Sequence, residues 1–205
     1  MKKVVFILLI LFTIPAFAQN PARPGPAKKL LGFTTGFNYS NIQASTPLPE
    51  NALLYNSAGF RLGLMLDYSI NEHLGFSPKA ELAFSNSKIR MTNPDNSVND
   101  YAIFWESLEL MTHIVVKKGN GRLKPYLLLG PNIRLPLYER PKFVGFDSNP
   151  DLAADIGFGF EKSFPKLFVA PEIRYSAGLF NINKYPAIPS SLYFHNIVLV
   201  VHFKG

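Results

Sequence analysis

Ser190, Ser191 and His195 bring two hydroxyls and an imidazole together near the end of the chain. A serine oxygen activated by an imidazole attacks esters and amides when a carboxylate orients the ring. No Asp or Glu lies in the adjoining sequence, so these residues read as loop and interface positions and not as a completed catalytic site. His73, His113, His195 and His202 fall in a turn and on separate strand segments with no pair at metal-ligand spacing. No metal ligand, cofactor-binding residue or catalytic residue is therefore assigned. Gly157-Phe158-Gly159 lies inside a strand pattern, and Gly119-Asn120-Gly121 is a turn without a following helix, so neither is a phosphate loop. Asn38-Tyr39-Ser40 matches a glycosylation acceptor of eukaryotic secreted proteins, a context the rest of the chain does not support.

The residues with more to say are charges at every second position. Arg61, Lys79, Arg134 and Arg174 carry one sign; Asp67, Glu81, Glu109, Asp155, Glu161 and Glu172 carry the other. Each alternates with Leu, Ile, Phe or Tyr, which is the period of a strand with two unlike faces. Hairpin geometry sets Glu81 opposite or diagonal to Arg61, and Asp155 near Glu172 and Arg174. Charges of both signs on one face suit a sealed ion-pair network, since an unpaired buried charge costs several kcal/mol.

Eight strands must position these residues: about 31–40, 57–69, 73–86, 101–117, 122–136, 151–162, 166–178 and 190–204. Several two-faced segments run nine to eleven residues, the length of a tilted strand crossing a bilayer. The connections alternate. Those at 41–56, 87–100, 137–150 and 179–189 are long, whereas INEH, KKGNGRLK and SFPK are short. Long loops at one end, tight turns at the other and an even strand number predict an all-β, eight-stranded antiparallel up-and-down transmembrane β-barrel with its turns in the periplasm.

Alternation alone does not separate a lipid-facing apolar band from the interior of a soluble lipocalin-like binding barrel. Composition of the polar face decides. It holds Gly59, Gly63, Gly75, Gly130, Gly157 and Gly159 with Ala83, Ala153 and Ala170. Glycine weakens a strand in bulk solvent, whereas small residues fit where eight strands crowd a narrow interior. The acids and glycines are accordingly placed inside, and Leu, Ile and Phe against lipid. An interior of this width predicts at most a narrow, pH-sensitive leak and no porin-like diffusion.

Composition agrees. Of 205 residues, 47% are hydrophobic and 17% charged, with 18 Phe, 17 Pro and 14 Gly, which favours one all-β unit. Residues 1–18, MKKVVFILLILFTIPAFA, read as a signal peptide cleaved after Ala18. Residues 19–30 form a proline-rich periplasmic linker, leaving 31–205 as the barrel. Loss of Lys2 and Lys3 lowers the formal charge from +7 to +5, too weak an excess to argue for nucleic acid. Cysteine is absent, so stability rests on the strand network.

Tyr193, Ile197, Leu199, Val201 and Phe203 share one face of the last strand, with His195 among them. An aromatic-terminated final strand resembles the signal read by the outer-membrane insertion machinery. In the outer loops Leu48, Leu53, Leu54 and Tyr55, and Tyr138, Phe143, Val144 and Phe146, offer apolar contact surface or pack over the barrel mouth.

The segments LGFTTGFNYSNI (31–42), AGFRLGLMLDYSINEHLGFSPKAELAFS (58–85), ESLELM (106–111), LKPYLLLGPNIRLPL (123–137) and DIGFGFEKSFPKLFVAPEIRYSAGLFNI (155–182) carry a family likeness in their order and spacing. The chain resembles the PorT-like outer-membrane β-barrel proteins of the Bacteroidetes. The resemblance implies an eight-stranded outer-membrane barrel, and the family's named member is an accessory of type IX secretion and gliding; with no catalytic geometry evident, the chain reads as non-enzymatic with a structural or accessory role. Implied partners are outer-membrane lipid, the insertion machinery and secretion-machinery proteins, with the barrel itself a monomer. The alternatives are a lipid A-modifying hydrolase built on Ser190, Ser191 and His195, and the soluble periplasmic binding barrel.

Overall fold

Alternation becomes backbone pairing in the computed structural model, which describes residues 29–119, 122–137, 149–184 and 188–205. Its strands are β1 (Lys29–Ala44), β2 (Ala52–Tyr55), β3 (Ser57–Ser69), β4 (Leu74–Phe84), β5 (Lys88–Thr92), β6 (Val98–Ala102), β7 (Glu106–Lys117), β8 (Leu123–Pro136), β9 (Asp151–Ser163), β10 (Phe168–Gly178) and β11 (Leu192–Lys204). Eight of them close in the order β1-β11-β10-β9-β8-β7-β4-β3, with β3 returning to β1. Every barrel pair is antiparallel and joins chain neighbours, except the closing pair of first and last, which sets Phe33 opposite Phe203 and Tyr39 opposite Ile197. This is the up-and-down barrel that loop alternation predicts. β1 begins at Lys29, two residues ahead of the boundary drawn at 31. The signal segment and residues 19–28 lie outside the described residues.

The faces divide as the strand patterns require. In β9, Asp151, Ala153, Asp155, Gly157, Gly159 and Glu161 are buried, while Ile156 is 59% exposed on the opposite side. The small residues have a steric cause. A Cβ at Gly159 would overlap the ring of its cross-strand partner Tyr126, which crosses that space to reach Glu172. On the outside Leu31, Phe37, Leu64, Leu129 and Leu199 stand free of protein cover. Covering that band with lipid removes the apolar area from water.

The short turns at one end of the barrel are tight. In residues 70–73 the Asn71 side-chain oxygen accepts hydrogen bonds from the His73 and Leu74 amides at 2.8 and 2.7 Å, an Asx turn that reverses β3 into β4. Gly119, at φ 87°, takes the left-handed conformation that begins the β7–β8 turn.

At the outer end, two connections expected to be plain loops contain strands. β2 from the first and β5 and β6 from the second form a separate sheet in the order β2-β5-β6. The reading of 101–117 as one strand is corrected likewise: β6 ends at Ala102, β7 starts at Glu106, and Phe104 turns the chain between them at φ 44°. A bulky residue takes that conformation only under strong local constraint. Here the constraint is packing, because Phe104 is buried with its ring 4.9 Å from that of Phe194.

The small sheet lies over the barrel mouth. Ala52, Ile89, Met91 and Tyr101 from it join Ile42, Ile103, Phe104, Ile182, Ile188, Leu192 and Phe194 in one apolar cluster, with Ala44, Leu48 and Leu54 packed against it. Parity along β2 divides Leu54 from Leu53 and Tyr55, and Leu48 packs from the segment before it. Leu48 and Leu54 cover the mouth, while Leu53 and Tyr55 face outward. Tyr138, Phe143, Val144 and Phe146 lie outside the described residues.

Candidate functional site

Because each inward position recurs every second residue and adjacent strands are paired in register, the buried charges form tiers along the barrel axis. Nearest the short turns, Asp67 and Glu161 share two lysines. Lys117 lies 3.2 Å from Asp67 and 2.9 Å from Glu161, and Lys204 lies 2.6 Å from Asp67 and also bonds Glu161.

Above them Glu172 gathers four donors. Lys79 approaches at 3.0 Å, the Tyr126 hydroxyl at 3.1 Å, Arg174 at 3.1 Å and the His202 Nε2 at 2.9 Å. Nδ1 of His202 meets the Thr34 hydroxyl at 2.7 Å, which fixes the ring plane.

The next tier is an arginine–carboxylate lattice. Glu81 and Glu109 are directly opposed across β4 and β7, an arrangement of like charges that is destabilising by itself. Arg61 resolves it by donating to Glu81 at 2.8 Å and to Glu109 at 3.3 Å through both terminal nitrogens. Arg174 donates to Glu81 at 2.9 Å and brings its Nε 3.4 Å from Asp155. His113 contacts Asp155 at 3.0 Å, Ser176 also bonds that carboxylate, and Asn132 donates to Glu109 at 2.8 Å. The planar guanidinium fork suits such shared carboxylates better than a lysine point charge.

Closest to the outer mouth, Arg134 donates to Asp151 at 2.8 Å and to the Phe194 carbonyl at 2.6 Å, with its guanidinium 5.4 Å over the Phe194 ring. Phe194 also belongs to the apolar cluster above, so the ionic lattice and the cap meet at this side chain.

All ten lumenal charges assigned from sequence are thus buried and brought into contact in these tiers. Alternation also sets Asp151 and His113 on the inward face, but it left unnamed Lys117 and Lys204, which continue that parity at strand ends, and His202, which shares it in mid-strand. With these, six cationic Lys and Arg side chains and seven acidic ones are buried among the described residues. A cavity of about 10 Å³ among Met65, Lys79, Tyr126, Glu172 and His202 is the size of a single water, not of a channel.

The candidate hydrolase residues are not brought together. The Ser190 hydroxyl donates to the Thr46 carbonyl at 3.1 Å and accepts the Thr46 amide at 3.1 Å, within the loop covering the mouth. His195 faces outward, 3.1 Å from the Tyr175 hydroxyl and parallel to that ring. Among the described residues neither contacts a carboxylate. On β11 Ile197, Leu199 and Phe203 are exposed on the lipid side, with Tyr193 and Val201 half-buried on the same face.

A closed barrel with an apolar exterior, a charge-filled interior and a covered mouth defines an integral outer-membrane β-barrel protein. The chain belongs to the outer membrane protein beta-barrel domain family, whose model matches residues 17–184. Among solved structures it is similar to Neisserial surface protein A, at 12% identity and a TM-score of 0.55 over 88% of this chain and 99% of that one. It is also similar to the outer membrane protein OprG from Pseudomonas aeruginosa, at 13% identity and a TM-score of 0.51 over 88% of this chain and 98% of that one. A comparison with curated proteins finds no match. At these identities the likeness is one of fold. The protein is located in the outer membrane, and the soluble-barrel alternative is set aside by family and by the lipid-facing band.

Proposed function

We propose that this barrel is a non-enzymatic, non-conducting, monomeric component of the outer membrane that acts through its surfaces, as an accessory of the type IX secretion and gliding machinery of PorT type. The observation that carries the non-conducting part is the lumen, where Arg61, Arg134 and Arg174 are each almost fully buried and bridge carboxylates from several strands. Opening a path would require breaking several buried pairs at about 3–5 kcal/mol each, more than a small domain's total stability. The separation of Ser190 from His195 supports the non-enzymatic part. Insertion would proceed from the outward face of the last strand, read at Tyr193, Ile197, Leu199, Val201 and Phe203.

Function would then reside in the outer sheet and the tether. Leu53, Tyr55 and Val98 stand exposed on β2 and β6, a contact surface for a secretion-machinery protein. Photo-crosslinkers introduced at Leu53 and Val98 in native outer membrane test this. The expected result is a cross-linked secretion component, together with cargo retained in a strain lacking the protein. Normal cargo export without any protein cross-link would remove the secretion role while leaving the barrel intact. Unaltered lipid A in Ser190→Ala and His195→Ala strains is expected, and a changed acylation pattern would restore the hydrolase reading.

A further inference from the structure

The periplasmic rim carries a charge asymmetry that the lumen does not use. Lys29, Lys118 and Lys162 are exposed on the lipid-facing parity, next in register after Leu31, Val116 and Phe160. Three strands thus end their apolar band on a lysine at the same end. Arg122 and Lys166, exposed in the adjoining turns, add to the ring, against the exposed Glu72. Among the described residues no carboxylate lies within ion-pair distance of Lys29, Lys118, Arg122, Lys162 or Lys166.

Two of the lysine ammonium groups lie over aromatic rings. The Lys29 ammonium is 5.7 Å from the Tyr68 ring centre, and that of Lys162 is 5.2 Å from the ring of Phe164. An ammonium over an aromatic ring at the edge of the apolar band sets its charge at the depth of the headgroup layer. At the opposite end, the outward positions of the barrel strands include Gln43, Ala58, Glu106, Leu152 and Tyr193, and among the described residues none is Lys or Arg.

We infer that this ring binds the anionic phospholipid headgroups of the periplasmic leaflet, so that the barrel gathers acidic lipid around its inner rim. The inference rests on the membrane-spanning orientation and goes beyond the proposed accessory role. Phosphate diesters match it in charge, and the register of Lys29, Lys118 and Lys162 with the apolar band fixes their depth at the headgroups, not farther out in the periplasm.

The test uses the full mature chain refolded into phosphatidylcholine vesicles, with spin-labelled phosphatidylglycerol or phosphatidylcholine as the probe. The motionally restricted lipid population is expected to favour phosphatidylglycerol roughly twofold or more. The preference should fall toward parity when Lys29→Gln, Lys118→Gln and Lys162→Gln are combined. On the unaltered protein, about 0.5 M salt should diminish it as well, since screening then acts within a few Å; this arm decides if the triple variant does not fold. Equal retention of both lipids, or a preference indifferent to both salt and substitution, overturns the inference. Co-sedimentation with isolated cell-wall sacculi without lipid preference also overturns it, and assigns the ring to an acidic wall polymer. Loss of the folded, heat-modifiable band in the unaltered protein would be a failure of the barrel itself and is read separately.

Discussion

Arg61 holds together two carboxylates that the sheet register forces face to face, and the network can be tested at that side chain. Arg61→Met should destabilise the barrel by about 3–5 kcal/mol, because Glu81 loses one of its cations and Glu109 its principal one. Urea unfolding in lipid vesicles measures this, and a further change of Glu81 and Glu109 to Gln should recover much of the loss, since residues in one network are not additive. A single-variant cost no larger than that of a surface pair would contradict a sealed lattice. Asp100, on the outer sheet, gives a contrast in pH. Hydrogen bonds from Arg90 and Lys88 hold its carboxyl well below the usual carboxylate range. A depressed acid contributes stability that is present above its unfolded value and lost as pH falls through the folded one. The Asp100 carboxyl resonance should therefore remain that of a carboxylate through pH 4, where an unpaired aspartate is about half protonated. Half-protonation of Asp100 near pH 4 would contradict the pairing. Alternation alone identified Arg61, Lys79 and Glu172 as inward, whereas Lys117 and Lys204 escaped. Parity continues to a strand's last residue, but where a turn begins depends on hydrogen bonds such as that from Lys118 to Pro125, which composition does not reveal.

At the scale of elements, the barrel strands were legible because each must alternate for the full thickness of the bilayer, as DLAADIGFGFEK does. The cap strands carry no such obligation. KIRMT and VNDYA are five residues each, half polar, and become strands only by pairing across two separate connections. The apolar Ile103 and Phe104 also bridged β6 and β7 into one apparent strand, hiding the corner that packing against Phe194 imposes. The cap is held by apolar contacts while the barrel is held by a closed hydrogen-bond ladder, so their stabilities should separate. Ile89→Ala, which empties a fully buried position, should loosen the cap by about 2–5 kcal/mol. Limited proteolysis of vesicles is expected to cut residues 88–102 faster in this variant while the barrel stays resistant. Simultaneous loss of barrel resistance would show the two to be one cooperative unit.

For the whole molecule, the tiers and the cap act in series, and either one blocks the axis. Planar-bilayer recordings should therefore show no porin-sized step, even for a chain in which residues 88–102 are replaced by a short loop; a stable open conductance in that variant would mean that the ionic tiers do not seal the lumen. Everything else, including the lysine rim and the exposed sheet, presupposes that Leu, Ile and Phe face lipid while acids and glycines face inward. Electrophoretic mobility of the mature protein, extracted from outer membrane in detergent and run with and without boiling, tests that assignment most directly. A faster-migrating band in the unheated membrane extract that is lost on boiling is the predicted result. A protein recovered in the soluble periplasmic fraction, with one mobility whether heated or not, would contradict it.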